Sequence, residues 1–278
     1  MTRAISGLSE IADLFDAVLI DQFGVLHDGM TAFPGTRSCL DALAAQQVPM
    51  VAVTNSGKPA SSNLDRLEAL GFARHLFAGV ITSGAMTRDL VSDWIAEGRL
   101  TARPRALILS RGGDGGVLDG LADVVPDPLV PGALDPEPDV VLIAGVDPEN
   151  VDRAVYRELL GPLAARGVPA ICANPDHTIY TASGPDFGPG LVANDYAAAG
   201  GSVVVVGKPG APMFTAGLEA LGSPAADRVL MIGDSPLHDI AGALAVGCKT
   251  LLIRTGVQAE TDGGDMATPD FIAEQLEW

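Results

Sequence analysis

The chain has 278 residues, with 17 Lys and Arg against 35 Asp and Glu, for a formal net charge of −18 at pH 7. That balance excludes nucleic acid and anionic membrane surfaces as expected partners, because both are held mainly by Lys and Arg. No apolar run approaches the roughly 20 residues of a membrane span, and the opening Met1-Thr2-Arg3-Ala4-Ile5 carries no secretory h-region. Hydrophobic residues make up 47%, enough for a folded chain of one or two domains. Cys39, Cys172 and Cys248 fit neither a zinc spacing nor a disulfide framework. They read as reduced, buried thiols of a cytoplasmic protein.

Short apolar runs alternate with amphipathic segments. Ala17–Ile20 reads as a buried strand, about Thr36 to Gln46 as a helix, Met50–Val53 as a strand, and about Ser61 to Leu70 as a helix stopped by Gly71. Met86, Leu90, Val91 and Trp94 then fall at helical spacing. Strands follow at Ala106–Leu109 and Val140–Ile143, and a helix at Asp152–Leu160 that Pro162 is expected to kink or end. Further strands are expected at Pro169–Cys172, Val203–Val206, Val229–Ile232 and Leu251–Ile253. Helices are expected at Met213–Leu221 and Leu237–Val246. Two stretches read as connections: the glycine-rich Arg111–Gly116, which lacks the third glycine of a dinucleotide fingerprint, and the Pro- and Asp-rich Val125–Glu137. Continuous apolar strands separated by helices predict an α/β protein with a parallel sheet covered on both faces.

Ligands of such sheets bind beyond the carboxyl ends of the strands. Four expected strands end in chemistry. Asp21-Gln22-Phe23-Gly24 follows the first and Thr54-Asn55-Ser56 the second. Gly207-Lys208-Pro209 follows Val206, and Gly233-Asp234-Ser235-Pro236-Leu237-His238-Asp239 follows Ile232. Each is commonplace alone, since an Asp or Thr after a strand is often a helix cap or turn residue. Together they supply one chemistry. A carboxylate can attack phosphorus, two more can hold a hard divalent cation, and a lysine, a hydroxyl and backbone N–H groups can meet phosphoryl oxygens. No G-x-S-x-G elbow is present, and the histidines (His27, His75, His177, His238) form no metal spacing.

These four segments, in this order, resemble the motifs of the haloacid dehalogenase superfamily. Ala173-Asn174-Pro175-Asp176 and Gly188-Pro189-Gly190 resemble signatures of its class IIA, the NagD-like and 4-nitrophenylphosphatase-like hydrolases. The resemblance covers nearly the whole chain. It implies a three-layer αβα Rossmann-like core with an inserted α/β cap of the C2 type. Only 33 residues separate Asp21 from Thr54, whereas 154 separate Thr54 from Lys208, so the insertion belongs in the second interval. The expected division is 1–80 core, 81–203 cap and 204–278 core. The resemblance further implies Asp21 as nucleophile and Thr54, Asn55, Ser56 and Lys208 as phosphate-binding, with Thr54 and Lys208 also serving catalysis. It implies Mg²⁺ on Asp21, the Phe23 carbonyl and Asp234, with Asp239 beside them, and Asn174, Asp176 and His177 of the cap as substrate contacts. The partner is then a small phosphorylated metabolite, and relatives of this class are often homodimers.

One position departs from the pattern. Where phosphatases of the superfamily carry a second Asp that protonates the leaving group and then activates water, this chain has Phe23. Such acid–base catalysis is worth about 10²–10⁴-fold. Three readings follow. The first is a Mg²⁺-dependent phosphatase, slow or suited to leaving groups that need little protonation, with His27 or Asp28 as possible substitute acids. The second is a non-catalytic protein that binds a phosphorylated metabolite. The third is a dehalogenase-like hydrolase.

Overall fold

The computed structural model describes residues 2–111, 115–126, 128–130, 132–181, 183–255 and 267–278. Residues 112–114 of the glycine-rich run and Gly256, at the end of the fourth motif, lie outside the described residues. The chain divides into two compact units. One comprises Met1–Thr54, Ala60–Ile81 and Lys208–Trp278, the other Asn55–Pro59 and Thr82–Gly207.

The first unit is built on a seven-stranded sheet in the order Arg3–Ala4, Phe271–Ala273, Lys249–Ile253, Val229–Gly233, Ala17–Ile20, Met50–Thr54 and Phe77–Thr82. The pairs linking Arg3–Ala4 through to Met50–Thr54 are all parallel. The central strands are continuous apolar runs because both faces are covered. Val18, Ile20, Met50 and Ala52 pack with Leu40 and Leu43 of the Thr36–Ala45 helix and Leu67 of the Ala60–Ala69 helix. Leu19 and Val53, one residue out of phase, meet the Ala211–Ala220 helix at Gly217. A Cβ there would stand 2.8 Å from Leu19 Cδ2 and 3.4 Å from Val53 Cγ2. Helices on both faces of a parallel sheet give the expected three-layer α/β arrangement.

The second unit has its own five-stranded, all-parallel sheet in the order Val203–Val205, Ala170–Cys172, Val140–Ile143, Arg105–Leu109 and Asp123–Val124. Its strand residues again alternate between two cores. Leu107, Leu109, Val141 and Ile143 pack with Tyr156, Leu160, Leu163, Val192 and Tyr196. Ala106, Ile108, Val140 and Leu142 pack with Val91 and Trp94. An antiparallel hairpin, Thr178–Thr181 with Gly184–Phe187, completes the unit. Among the described residues no helix is long and apolar enough to cross a membrane.

Several expectations need correction. The strand before Lys208 is not part of the sheet that carries Asp21. Val203–Val205 is an edge strand of the second sheet, and the chain enters the first unit only at Lys208. The Arg153–Ala165 helix runs through Pro162. Proline forfeits one backbone hydrogen bond, but Leu160, Leu163 and Ala164 are buried on either side of it and hold the last turn to the core. The segment expected as one helix from Leu237 begins instead as a wide turn over Pro236–Ile240, in which Ile240 N–H reaches Ser235 O at 3.2 Å, followed by a short helix at Ala241–Ala245. Such single wide turns are frequent at functional sites. The strands at Phe77–Thr82 and Phe271–Ala273, the hairpin, and the Pro189–Ala198 helix were not expected from apolar periodicity.

Candidate active site

Three neighbouring parallel strands of the first unit end on the same edge of the sheet. Asp21 follows Ile20, and its N–H donates to Ile232 O at 2.9 Å, which extends the strand pairing by one residue. Asp234 follows Gly233 at the end of the adjacent strand, and Thr54 ends the next strand over. Asp239 is returned to the strand end by the wide turn. Its Oδ2 accepts from Ser235 N–H at 3.1 Å, and Ser235 Oγ accepts from His238 N–H at 3.2 Å. The turn lies so close that a Cβ on Gly233 would sit 2.2 Å from Asp239 Cβ, so only glycine fits there. Asp21, Thr54, Lys208, Asp234 and Asp239 are all buried.

Lys208 joins the carboxylates. Its Nζ donates to Asp21 Oδ1 at 2.6 Å and lies 2.7 Å from Asp239 Oδ1. Burial opposes the charged ammonium, but Asp21 and Asp239 together push its pKa above that of a free lysine. For Asp21, burial is the largest influence and pushes the carboxyl up, to about 7. Lys208 pulls it down, and Asp239 raises it further. The cluster is short of positive charge. Oxygens of Asp21, Asp234 and Asp239 come within 4.8 Å of one another, and the Lys208 ammonium bonds to two of these carboxylates, Asp21 and Asp239. Three buried, hard oxygen donors with excess negative charge fit a divalent cation such as Mg²⁺.

The residues after Asp21 form a compact flap. Leu26 and His27 N–H donate to Gln22 O at 2.8 and 3.2 Å, and Gly24 N–H donates to His27 O at 2.9 Å. Phe23 is exposed (40%), and its ring meets the His27 ring edge-on at 6.1 Å. Neither substitute acid fits that task. His27 is 2% exposed, its Nδ1 accepts from Gly29 N–H at 3.0 Å, and its Nε2 is buried with no hydrogen-bond partner among the described residues. Burial, helped by the charge of Arg66, pushes its pKa down to about 4, so it is neutral at pH 7. Asp28 is a turn residue. Its Oδ1 accepts from Met30 and Thr31 N–H, which lowers its pKa and keeps it ionised.

The remaining expected site residues lie in the second unit. Asn55 Nδ2 donates to Asp176 Oδ1 at 3.4 Å, and its Oδ1 lies over Gly207, where a Cβ would be 2.7 Å away. Ser56 O accepts from Ser83 Oγ at 3.0 Å and from Gly84 N–H at 3.1 Å, which ties this segment into the second unit. Asn174 Oδ1 accepts from Asp176 N–H at 3.0 Å, and exposed His177 Nε2 is 3.2 Å from Asn194 Nδ2. The Asn174–His177 turn packs against Gly188 and Gly190, where a Cβ would stand 2.1 Å from the carbonyl oxygens of Asp176 and Pro175 respectively. That close packing gives both sequence signatures a structural reason. Sequence reasoning missed Asn194, and it quoted Gly233 and Ser235 without their roles, which arise from contacts that spacing does not reveal.

The haloacid dehalogenase-like hydrolase family model matches residues 18–115, and a second, HAD-hydrolase-like model matches 205–278. The chain belongs to the haloacid dehalogenase-like hydrolases. It is 30% identical over 261 residues to the haloacid dehalogenase-like hydrolase domain-containing protein 2 of Rattus norvegicus, covering 92% of this chain and 90% of that one. It is 28% identical over 255 residues to the acid sugar phosphatase of Staphylococcus epidermidis, covering 89% and 90%. A solved haloacid dehalogenase-like hydrolase from Brucella suis 1330 superposes with a TM-score of 0.82 at 32% identity, covering 98% and 99% of the two chains.

Two outcomes follow from this geometry. Lys208→Met leaves two buried carboxylates without their shared ammonium and should cost about 3–5 kcal/mol, read as a lower urea midpoint in metal-free buffer at pH 7.5. A change below about 1 kcal/mol would mean that Asp21 and Asp239 are solvated after all. His27, with a folded pKa below its unfolded one, contributes stability that is present above about pH 6.5 and is lost as pH falls towards 4. His27→Gln should flatten that part of the stability–pH curve, and identical curves for the two proteins would rule out a buried neutral His27.

Proposed function

We propose that the chain is a phosphatase acting on a small phosphorylated metabolite, with Asp21 as the nucleophile and the second unit as the cap that selects substrate. The observation that carries this reading is the buried Lys208 bonded to both Asp21 and Asp239. A lysine and three carboxylates so arranged have little structural purpose, since a buried ion cluster contributes less than well-packed apolar residues would. The phosphatase named among the relatives agrees with it.

In this reading Asp21 attacks the phosphorus. The new O–P bond forms as the bond to the leaving oxygen breaks, and the electron pair departs with that oxygen. Water then attacks the aspartyl-phosphate, releases phosphate and restores the carboxylate. Lys208 orients Asp21 through Oδ1 and offsets negative charge on the phosphoryl group, with the Thr54 hydroxyl as a further donor. A Mg²⁺ ion held by Asp21, Asp234 and the Phe23 carbonyl, with Asp239 beside it, would neutralise phosphoryl oxygens and let an anionic ester approach an anionic site. Asn55 and Ser56, one and two residues past Thr54, are the backbone N–H donors of this reading. Asn174, Asp176 and His177 are its cap contacts.

Phe23 sets the limit of the activity. With a phenyl ring in place of a carboxyl group, and His27 and Asp28 both engaged in the flap, the leaving oxygen takes its proton from solvent. Good leaving groups, such as acidic phenols and acyl phosphates, are therefore the substrates to expect. The full-length protein with Mg²⁺ should release 4-nitrophenol from its phosphate ester, and Asp21→Asn should reduce this to background. Phe23→Asp should raise turnover of alkyl phosphates by up to about 10²-fold, the low end of acid–base contributions, with little gain on the nitrophenyl ester. Equal activity in wild type and Asp21→Asn would remove the nucleophile assignment. Tight phosphate binding with no turnover of any ester would favour the non-catalytic reading.

A further inference from the structure

We propose that the Phe23 side chain is a specificity-determining surface for the leaving group, selecting phosphate compounds whose departing part is flat and apolar over those whose departing part is polyhydroxylated. The inference rests on the phosphoryl-site reading above and adds the class of substrate that site takes.

Between Asp21 and His27 every residue is buried except Phe23. Its exposure is not that of a loose surface residue. The ring is packed from the protein side by two features of the flap. The edge of the His27 ring meets it with centroids 6.1 Å apart and planes at 86°, an arrangement that aromatic pairs favour. Gly29, at φ +97°, lies so close that a Cβ would stand 3.2 Å from Phe23 Cε2. His27 is itself fixed by the hydrogen bond from Gly29 N–H. The ring is thus backed by the flap on one side, with 40% of the residue open, two positions from the carboxylate that meets the phosphoryl group in that reading.

An aromatic surface two residues from a charged site discriminates by chemistry. It accepts an aromatic ring or another planar apolar group by stacking or edge contact that buries apolar area on both sides, and its backing by His27 and Gly29 lowers the ordering cost. It offers no hydrogen bond to a sugar hydroxyl, whose loss of water on contact would go uncompensated. The preferred substrate then differs from the sugar in the name of the Staphylococcus relative. The same ring that removes an acid from the site would select compounds that need none, since aryl phosphates depart with low-pKa oxygens.

The test uses two non-hydrolysable probes, phenylphosphonate and methylphosphonate, titrated calorimetrically into full-length protein with Mg²⁺. Wild type should bind the phenyl compound about five- to tenfold more tightly, the scale of one aromatic contact. In Phe23→Ala that ratio should fall to near one, and in Phe23→Trp it should be retained. Binding of both probes with equal affinity by wild type, or a ratio unchanged in Phe23→Ala, overturns this inference and leaves the phosphoryl site standing. Binding of neither probe overturns the phosphoryl site itself, and this inference with it.

Discussion

The structure of the site depends on one buried ammonium. Lys208 is 3% exposed and lies within hydrogen-bond distance of two carboxylates, Asp21 and Asp239, which are themselves buried. None of the three could be buried alone, since an unpaired ion in a protein interior costs several kcal/mol. Their mutual presence fixes much of the surrounding backbone. Asp239 reaches Lys208 only because the chain after Gly233 makes a wide turn instead of a regular helical start, and that turn closes only over a glycine. Asp21 reaches it because its own N–H continues the pairing of two parallel strands. The cluster still carries more negative than positive charge, and that surplus is what a divalent cation would relieve.

The same electrostatics gives meaning to the acidity of the chain. A net charge of −18 would repel a phosphorylated substrate at long range. In the proposed reading the site overcomes this locally, with Lys208 and a cation beside three carboxylates. What the site lacks is a proton donor on the flap. His27 is buried and neutral and Asp28 is bound into a turn, so in that reading the flap offers an aromatic ring where poor leaving groups would need an acid. In that reading the exposed Phe23 ring is the counterpart of the missing carboxyl group, an apolar surface two residues from Asp21.

Much of this was legible in the sequence, for identifiable reasons. Ala17–Ile20, Val140–Ile143 and Val229–Ile232 are uninterrupted apolar runs, and buried parallel strands leave that signature. Asp21 and Thr54 could be placed because each directly follows such a run, and Asp234 because only Gly233 separates it from one. Lys208 could be named but not correctly placed. The valines before it look like any central strand, yet they form the edge of the second sheet, and nothing in a four-residue apolar run says to which sheet it belongs. The wide turn at Pro236–Ile240 was hidden because its spacing is near helical, and the extra residue shows in the hydrogen bonds from Ile240 N–H to Ser235 O and from Ala241 N–H to Pro236 O. The neutrality of His27 and the exposure of Phe23 are properties of packing, which one sequence does not contain.

The central claim is that Asp21 carries the phosphoryl group. It is tested most directly by acid-quenching the full-length protein during turnover of acetyl phosphate with Mg²⁺, then mapping the phosphorylated peptide by mass spectrometry before and after hydroxylamine. The account predicts a hydroxylamine-labile phosphoryl group on Asp21. Sustained phosphate release with the label on another residue, or with no label on Asp21 under any quench, would contradict it.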